Sequence, residues 1–305
     1  MLRPVLVNYK GSETSKQKSA NAPSGTSSTA LIGTFVPESP NNRTIVGLEL
    51  VITFNVTQSA AASYTASQLF GGLEVIKNSK RRIELLGNTL ETAYAQLVRL
   101  FNMLTGFSDA TSTVGIQNGS SAGAAGATSV TLRALLPLHL QTSDGIPQVN
   151  LYVAGYGNVT DATAASATAY VRFMYDVMPN IIDDEIKVVV TPSSLAANTE
   201  VNIGEYLTNV KLVKEVFIDA GSADSNVNYS KFKVGSMEIY GQTNYPTLRM
   251  ITTPYPYMNA VNGFLKLPML PSSFPAQGSS PLSPQLIVDL ATSEQLAIWA
   301  LVTPE

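Results

Sequence analysis

The sequence predicts an all-β fold made of two tandem jelly-roll β-sandwiches, a double jelly roll, with a short helix inserted in each. Three observations predict it. Apolar residues alternate with period two through most of the 305-residue chain. The alternation gives way to a helical pattern after two similar phrases, IELLGNT at 83–89 and MEIYGQT at 237–243. The elements around those phrases recur in one order in both halves.

Residues 1–35 stand apart and read as a flexible basic N-terminal arm. After LRPVLVNYKG comes a stretch of Ser, Thr, Ala and Asn with too little apolar surface to order itself. Arg3, Lys10, Lys16 and Lys18 face only Glu13 there. This arm is expected to order on a neighbour or on an acidic surface.

The first jelly roll is expected at 36–180. RTIVGLELVITFNV places Val46, Leu48, Leu50, Ile52 and Phe54 on one strand face. LEVIKNSKRRIELLG reads as a hairpin turning at Asn78-Ser79. Leu90, Tyr94, Leu97, Phe101 and Leu104 then fall three and four apart, which is one face of a helix. Asn88 suits its N-cap, Glu91 completes a capping box, and Gly106 suits its end. A long small-residue loop, DATSTVGIQNGSSAGAAGATS, separates the helix from strands in VTLRALLPLHLQ, PQVNLYVAGYG and TAYVRFMYDVM.

The second jelly roll is expected at 181–305, entered through PNIIDDE. Strands are expected in DEIKVVV, NVKLVKEVFIDAG and NYSKFKVGSMEIYGQ. A short helical piece with Pro246 near its start follows, then the loop TTPYPYMNAVNG. The apolar runs FLKLPML, PQLIVDLA and EQLAIWALVTP close the chain.

Laid side by side, the halves match in series. LELVI (48–52) meets KEVFI (214–218), and IELLGNT meets MEIYGQT, each followed by its helix. LLPLHL meets LKLPML, QVNLYVA meets QLIVDLA, and VRFMYDVMP meets LAIWALVTP. No single match carries weight; the preserved order does. Eight strands in two facing sheets suit a half of this size.

Composition narrows the function. Charged residues make up 13% of the chain, about half the usual soluble share, and hydrophobic ones 45%. A surface so low in charge suits a chain packed against its own copies, and equally a secreted β protein with neutral loops. A net charge of −3 argues against a surface that grips nucleic acid throughout, so no sequence-specific nucleic-acid binding is expected. The chain has no cysteine for disulfides or thiolate metal sites. No run approaches the ~18 apolar residues of a spanning helix. The N-terminus lacks the apolar core and cleavage site of a secretory signal.

Chemistry leaves few traces, and neither enzymatic activity nor a cofactor is expected. His139, the single histidine, lies between Leu138 and Leu140, and no G-x-S-x-G elbow surrounds a serine. Asp183, Asp184 and Glu185 could hold calcium but read better as a solvated linker. Asp144, Asp161 and Asp224 read as turn residues. Glu49 and Glu84 are glycosidase candidates only loosely, since their strand positions suggest an outward or intersheet polar face. GSSAGAAGA at 119–127 lacks the G-K of a phosphate loop. Tyr255 and Tyr257, beside prolines, form a candidate contact loop for a sugar or a partner, and Trp299 reads as core.

Over residues 36–305, this layout, length and composition resemble the double jelly-roll major capsid proteins of tailless icosahedral viruses with an internal membrane. The resemblance implies homotrimers whose six jelly rolls form a pseudo-hexagonal capsomer tiling an icosahedral shell. It implies neighbouring capsomers, minor capsid or vertex proteins and an internal lipid membrane as partners. Residues 107–130 and 155–168 would be outward or intersubunit loops. Arg3, Lys10, Lys16 and Lys18 would face the membrane, each adding roughly 1 kcal/mol near an anionic surface. The short second helix with Pro246 departs from strict equivalence of the rolls. The alternative is a carbohydrate-binding or adhesion module, or a jelly-roll hydrolase of glycans. A phage spike or minor vertex protein is a third, without the repeated fibre-like segments such proteins carry.

Overall fold

The computed structural model describes residues 10–38, 43–88, 90–105, 115–176, 183, 185–208, 210, 212–219, 226–252, 264–268, 274–275 and 284–303. Its contacts divide the chain into two units, which part between Ile182 and Asp183. Among the described residues no helix is long and apolar enough to cross a membrane.

The first unit is a jelly roll. Its strands are β1 (Gly11–Thr14), β2 (Lys18–Asn21), β3 (Thr29–Phe35), β4 (Thr44–Gln58), β5 (Tyr64–Thr65), β6 (Phe70–Lys77) and β7 (Lys80–Leu85). Helix α1 (Ala93–Thr105) follows, then β8 (Ile116–Asn118), β9 (Ser120–Ser121), β10 (Gly126–Leu136), β11 (Leu140–Gln141), β12 (Gln148–Ala154) and β13 (Ala162–Asp176). One sheet runs β1-β13-β4-β10-β8, with β2 also on β13 and β11 on β4; the facing sheet runs β3-β12-β6-β7. The chain crosses between the sheets as a jelly roll does, and the long pairs are antiparallel.

Period two builds the core. Leu48, Leu50, Ile52 and Phe54 of β4 are buried, facing Leu73 and Val75 of β6 and Val149, Leu151 and Val153 of β12. The expectation for Val46 fails. The pairing with β13 skips one residue between Gly47 and Ile45, a bulge that sends Ile45 inward and leaves Val46 half-buried. The hairpin at Asn78-Ser79 forms as expected. Both residues take positive φ, 54° and 60°, as a two-residue type I′ turn requires.

Helix α1 begins later than the spacing suggests. Asn88 Oδ1 accepts from the amides of Leu90 and Glu91, a turn ahead of the helix. The cap is Thr92, whose Oγ1 accepts from the amide of Ala95. Glu91 pairs with Arg99 at 3.1 Å instead of closing a capping box. Leu90 lies outside the helix and is exposed, while Leu97, Phe101 and Leu104 are buried. The expected terminus, Gly106, lies outside the described residues.

Residues 11–35 correct the reading of an unordered arm. β1 pairs with 172–175 and β2 with 166–169, forming one interrupted edge strand along β13. Ser15 bridges the interruption: its amide donates to Val171 O at 2.8 Å, and its Oγ accepts from the amide of Val171 at 3.0 Å. β3 pairs with β12 in the facing sheet. Backbone hydrogen bonds hold this stretch where its side chains offer little apolar area. The implied loops are likewise partly strand: β8, β9 and the start of β10 lie within 107–130, and β13 begins at Ala162.

The second unit repeats the topology. Its strands are β14 (Glu185–Val190), β15 (Val201–Asn202), β16 (Leu212–Asp219), β17 (Val227–Val234) and β18 (Met237–Asn244). Helix α2 (Tyr245–Thr252) precedes β19 (Phe264–Lys266), β20 (Phe274–Pro275), β21 (Pro284–Leu290) and β22 (Ala297–Thr303). One sheet runs β14-β22-β16-β19 and the other β15-β21-β17-β18. Val216, Ile218, Phe232, Leu286, Val288 and Ile298 are among its core residues. Asn244 Oδ1 caps α2, accepting from the amide of Thr247.

Each matched sequence pair falls on equivalent strands: β4 with β16, β7 with β18, the β10–β11 region with β19, β12 with β21, and β13 with β22. The residue registers differ. Leu50 lies opposite Val171, and its counterpart Val216 lies opposite Ala300, four residues beyond the Leu296 that the sequence match equates with Val171. An even slip keeps every side chain on its own face.

Candidate assembly surfaces

The edge strand β1–β2 carries three of the four basic arm candidates, and all three are tied down. Lys10 reaches Asp176 at 3.5 Å, Lys16 reaches Glu38 at 3.8 Å, and Lys18 Nζ donates to Thr34 O at 2.7 Å. The Lys10 and Lys16 side chains remain 68% and 88% exposed. Lysines on an edge also discourage unwanted strand pairing. Beneath them, Glu13 accepts from Tyr175 OH at 3.1 Å, and burial plus that carboxylate hold the phenol well above its usual range. Arg3, Tyr255, Tyr257, Asp184 and Asp224 lie outside the described residues.

The outer face of the larger sheet in the first unit is a ladder of hydroxyls and paired charges. Glu49, largely shielded, sits between Arg172 at 3.1 Å and Arg133 at 3.5 Å. Thr53 and Thr131 share a hydrogen bond of 3.1 Å, and so do Ser19 and Thr168. The second unit keeps the carboxylate, Glu215, paired with Lys266 at 3.1 Å. Beside it the same face is aromatic. Phe217 stacks on Phe264 at 5.1 Å, and Trp299 meets Phe264 edge-on at 6.0 Å. These rings alternate with Val216, Ile218, Leu265 and Ile298, so they lie on the face turned away from the sandwich core; all three are buried. Trp299 is therefore buried, as read, but in a second apolar layer.

Both smaller sheets carry a tyrosine–carboxylate–cation group outside. Tyr152 OH donates to Glu74, which pairs with Arg81 at 3.2 Å; Arg81 also reaches Glu84 at 2.9 Å. Burial and the Glu74 carboxylate push the Tyr152 phenol up to about 12. In the second unit Tyr229 OH and Lys231 Nζ both donate to Glu200. The Lys231 and Tyr229 hydrogen bonds hold the Glu200 carboxyl below its usual range. Glu49 and Glu84 thus sit in ion-pair ladders, not facing each other across a cleft.

The other candidates disperse. His139 lies half-buried just before β11. Asp183 and Glu185, expected in a solvated linker, are buried, and Glu185 opens β14 with Lys187 at 3.3 Å. Asp161 does sit in a turn, with φ of 57°. Asp144 pairs with Lys77, a fully buried ammonium, at 2.5 Å. Partial burial pushes the Asp144 carboxyl up, but the Lys77 hydrogen bond and charge, its own backbone amide and Arg82 outweigh that and hold it low. Among the described residues no three His, Cys, Asp or Glu side chains gather as metal ligands.

One surface had no signal in the sequence. Six of the eight residues of β18 are exposed, and α2 buries Leu248 while exposing Met250 at 74%. MEIY alternates like any half-buried strand, and nothing local marks it as exposed.

No protein-family model matches the chain, and no curated protein matches it. Solved structures do. The MCP of STIV, the Sulfolobus turreted icosahedral virus, superposes with a TM-score of 0.60 at 12% identity, covering 96% of this chain and 97% of that one. The PBCV-1 capsid chain gives 0.53 at 11% identity, with 98% and 95% covered. The major capsid protein of bacteriophage PM2 gives 0.52 at 11% identity, with 94% and 96% covered. The chain shares with these proteins the double jelly-roll fold from end to end.

Proposed function

We propose that the chain is a viral major capsid protein whose role is structural and not enzymatic. Homotrimers present six jelly rolls as pseudo-hexagonal capsomers that tile an icosahedral shell, so the protein resides in the virion after synthesis in the host cytoplasm. The observation that carries this reading is the end-to-end cover: 96% of this chain lies on 97% of a capsid protein, both rolls included. Equivalent rolls in tandem let one chain approximate two adjacent corners of a hexagon, and a three-fold heterologous contact closes without a free edge. A chain with 13% charged residues loses little charge solvation in such contacts.

The finer reading is a tailless virus with an internal membrane, such as the lipid-containing Flavobacterium phage. Exposed Lys10 and Lys16, with Arg3 and Lys18, would then face anionic lipid or minor capsid and vertex proteins. The test is the solution mass of the purified chain by light scattering, with negative-stain imaging of the same fraction. A species of three times 32.5 kDa with a six-cornered outline is the expected result. A clean monomer at every concentration, together with binding on a glycan array, would replace this reading with a carbohydrate-binding module.

A further inference from the structure

A cleft of about 700 Å³ crosses one end of the smaller sheet of the first unit, within the ~300–1,000 Å³ range of small-molecule sites. Strand order builds it. Its floor takes Thr29 from β3, Ala154 from β12, Gly71 from β6 and Leu86 just past β7, and those strands are neighbours in that order. Ala154 and Gly71 keep the floor low. Gly71 is the extra residue of a bulge, since Tyr152 pairs with Gly72 and Val153 with Phe70. A Cβ on Gly71 would lie 2.6 Å from the Val153 backbone, so only glycine fits there. Ser27 and Ser28 lead into β3 and form one wall with Asn158. Asn88 and Leu90, between β7 and α1, form the other.

Each wall holds a carboxamide fixed at one end and unused at the other. Asn88 Oδ1 accepts from the amides of Leu90 and Glu91 at 2.8 and 2.9 Å, and its Nδ2 meets no acceptor among the described residues. Asn158 Nδ2 donates to Thr26 O and Gly155 O, both at 3.0 Å, and its Oδ1 meets no donor among the described residues. Gln68 Nε2 ties Asn158 down further, donating to its carbonyl at 2.9 Å. A pre-oriented donor on one wall is thus matched by a pre-oriented acceptor on the other. A hydroxyl group serves both, because it donates and accepts. We propose that this cleft binds a short neutral oligosaccharide. Sugar hydroxyls meet Asn88 Nδ2, Asn158 Oδ1 and the hydroxyls of Ser27 and Ser28, and the apolar ring faces rest on Leu86 and Leu90, which are 39% and 41% exposed. No lysine or arginine lines the cleft, and its one carboxylate, Glu91, is paired with Arg99 at 3.1 Å. A phosphate or an acidic sugar therefore finds no counter-charge. An extended peptide finds no strand edge on the floor, since β12 and β6 are each paired on both sides. The site belongs to the first unit and involves neither Tyr255 nor Tyr257.

The experiment probes an array of neutral and acidic oligosaccharides with the full-length chain, then titrates the strongest neutral ligand by calorimetry against the natural chain and three variants. Asn88→Asp keeps the oxygen that accepts from the Leu90 and Glu91 amides and turns the Nδ2 donor into an acceptor. Ala154→Leu fills the floor. Asn55→Asp makes the same chemical change at an exposed position of β4 outside the cleft. Asn88→Asp should weaken binding about tenfold or more, Ala154→Leu should abolish it, and Asn55→Asp should stay within about twofold of the natural chain. Thermal unfolding of each variant checks that the fold is kept. No binding to any neutral oligosaccharide, tighter binding to the acidic ones, or binding that survives both Asn88→Asp and Ala154→Leu would each overturn the site. Light scattering on the same sample keeps this inference apart from the capsid reading: a chain that associates but binds no sugar loses only the site.

Discussion

IELLGNT and MEIYGQT occupy the same place in two jelly rolls and do different work. In the first unit the phrase ends in a turn: Gly87 has φ of +75°, and an added Cβ would lie 3.2 Å from the amide nitrogen of Ala93. The helix beyond it runs 13 residues and buries Leu97, Leu100, Phe101 and Leu104. In the second unit Gly241 lies inside β18, and an added Cβ would meet only the Glu238 carboxylate, also at 3.2 Å. Its helix has 8 residues and buries Leu248. A shared phrase and shared topology therefore do not imply a shared energetic role. One helix seals a core, and the other stands largely in solvent.

The largest expected contrast is between the helices. Phe101→Ala should cost about 3–5 kcal/mol, because the ring is 1% exposed and packed on Gly115. Met250→Ala should stay within about 0.5 kcal/mol. Urea denaturation of both variants measures the difference, and similar costs would mean that α2 is as much a core element as α1. The glycines come next. Gly87→Ala should cost about 1–2 kcal/mol from backbone strain, while Gly241→Ala should be near neutral. If Gly241→Ala were the more damaging, the two glycines would have been assigned the wrong way round. The caps should then bring the units together: Thr92→Ala and Asn244→Ala each remove one helix cap and should each cost about 1 kcal/mol. A clear inequality in thermal unfolding would show that only one helix depends on its cap.

The smallest effect is the acid sensitivity that Asp144 contributes in the first unit. The Asp144 carboxyl is depressed in the folded chain, so its contribution is present above the unfolded value, about pH 4, and fades as pH falls through the lower folded value. Asp144→Asn should flatten stability against pH in that acidic window and leave the neutral range nearly parallel. No change in slope would place the acid sensitivity elsewhere.

Strand faces were legible in the sequence because period two is written in single residues, as Leu48, Leu50, Ile52 and Phe54 show. The Asn78-Ser79 turn was legible for the same reason. Features that depend on a distant partner were not. The bulge that trades Val46 for Ile45 arises between β4 and β13, far apart in sequence. The strands in 11–35 are held by backbone bonds to β13 and β12, which a Ser- and Thr-rich segment does not advertise. Asp183 and Glu185 read as solvated because burial of a carboxylate has no local code. The aromatic layer of Phe217, Phe264 and Trp299 had a partial signal in EVFID and AIWAL, where both strand faces are apolar.

The even slip between corresponding strands has a consequence for how such chains diverge. A strand that slides by two or four residues exchanges every neighbour yet keeps its inside in and its outside out. Insertions and deletions at strand ends are therefore tolerated in steps of two and penalised in steps of one. Over long divergence, residue-by-residue correspondence drifts while the order of strands and the parity of their faces stay fixed. Chains that share about one residue in eight with this one can thus carry the same two-roll fold.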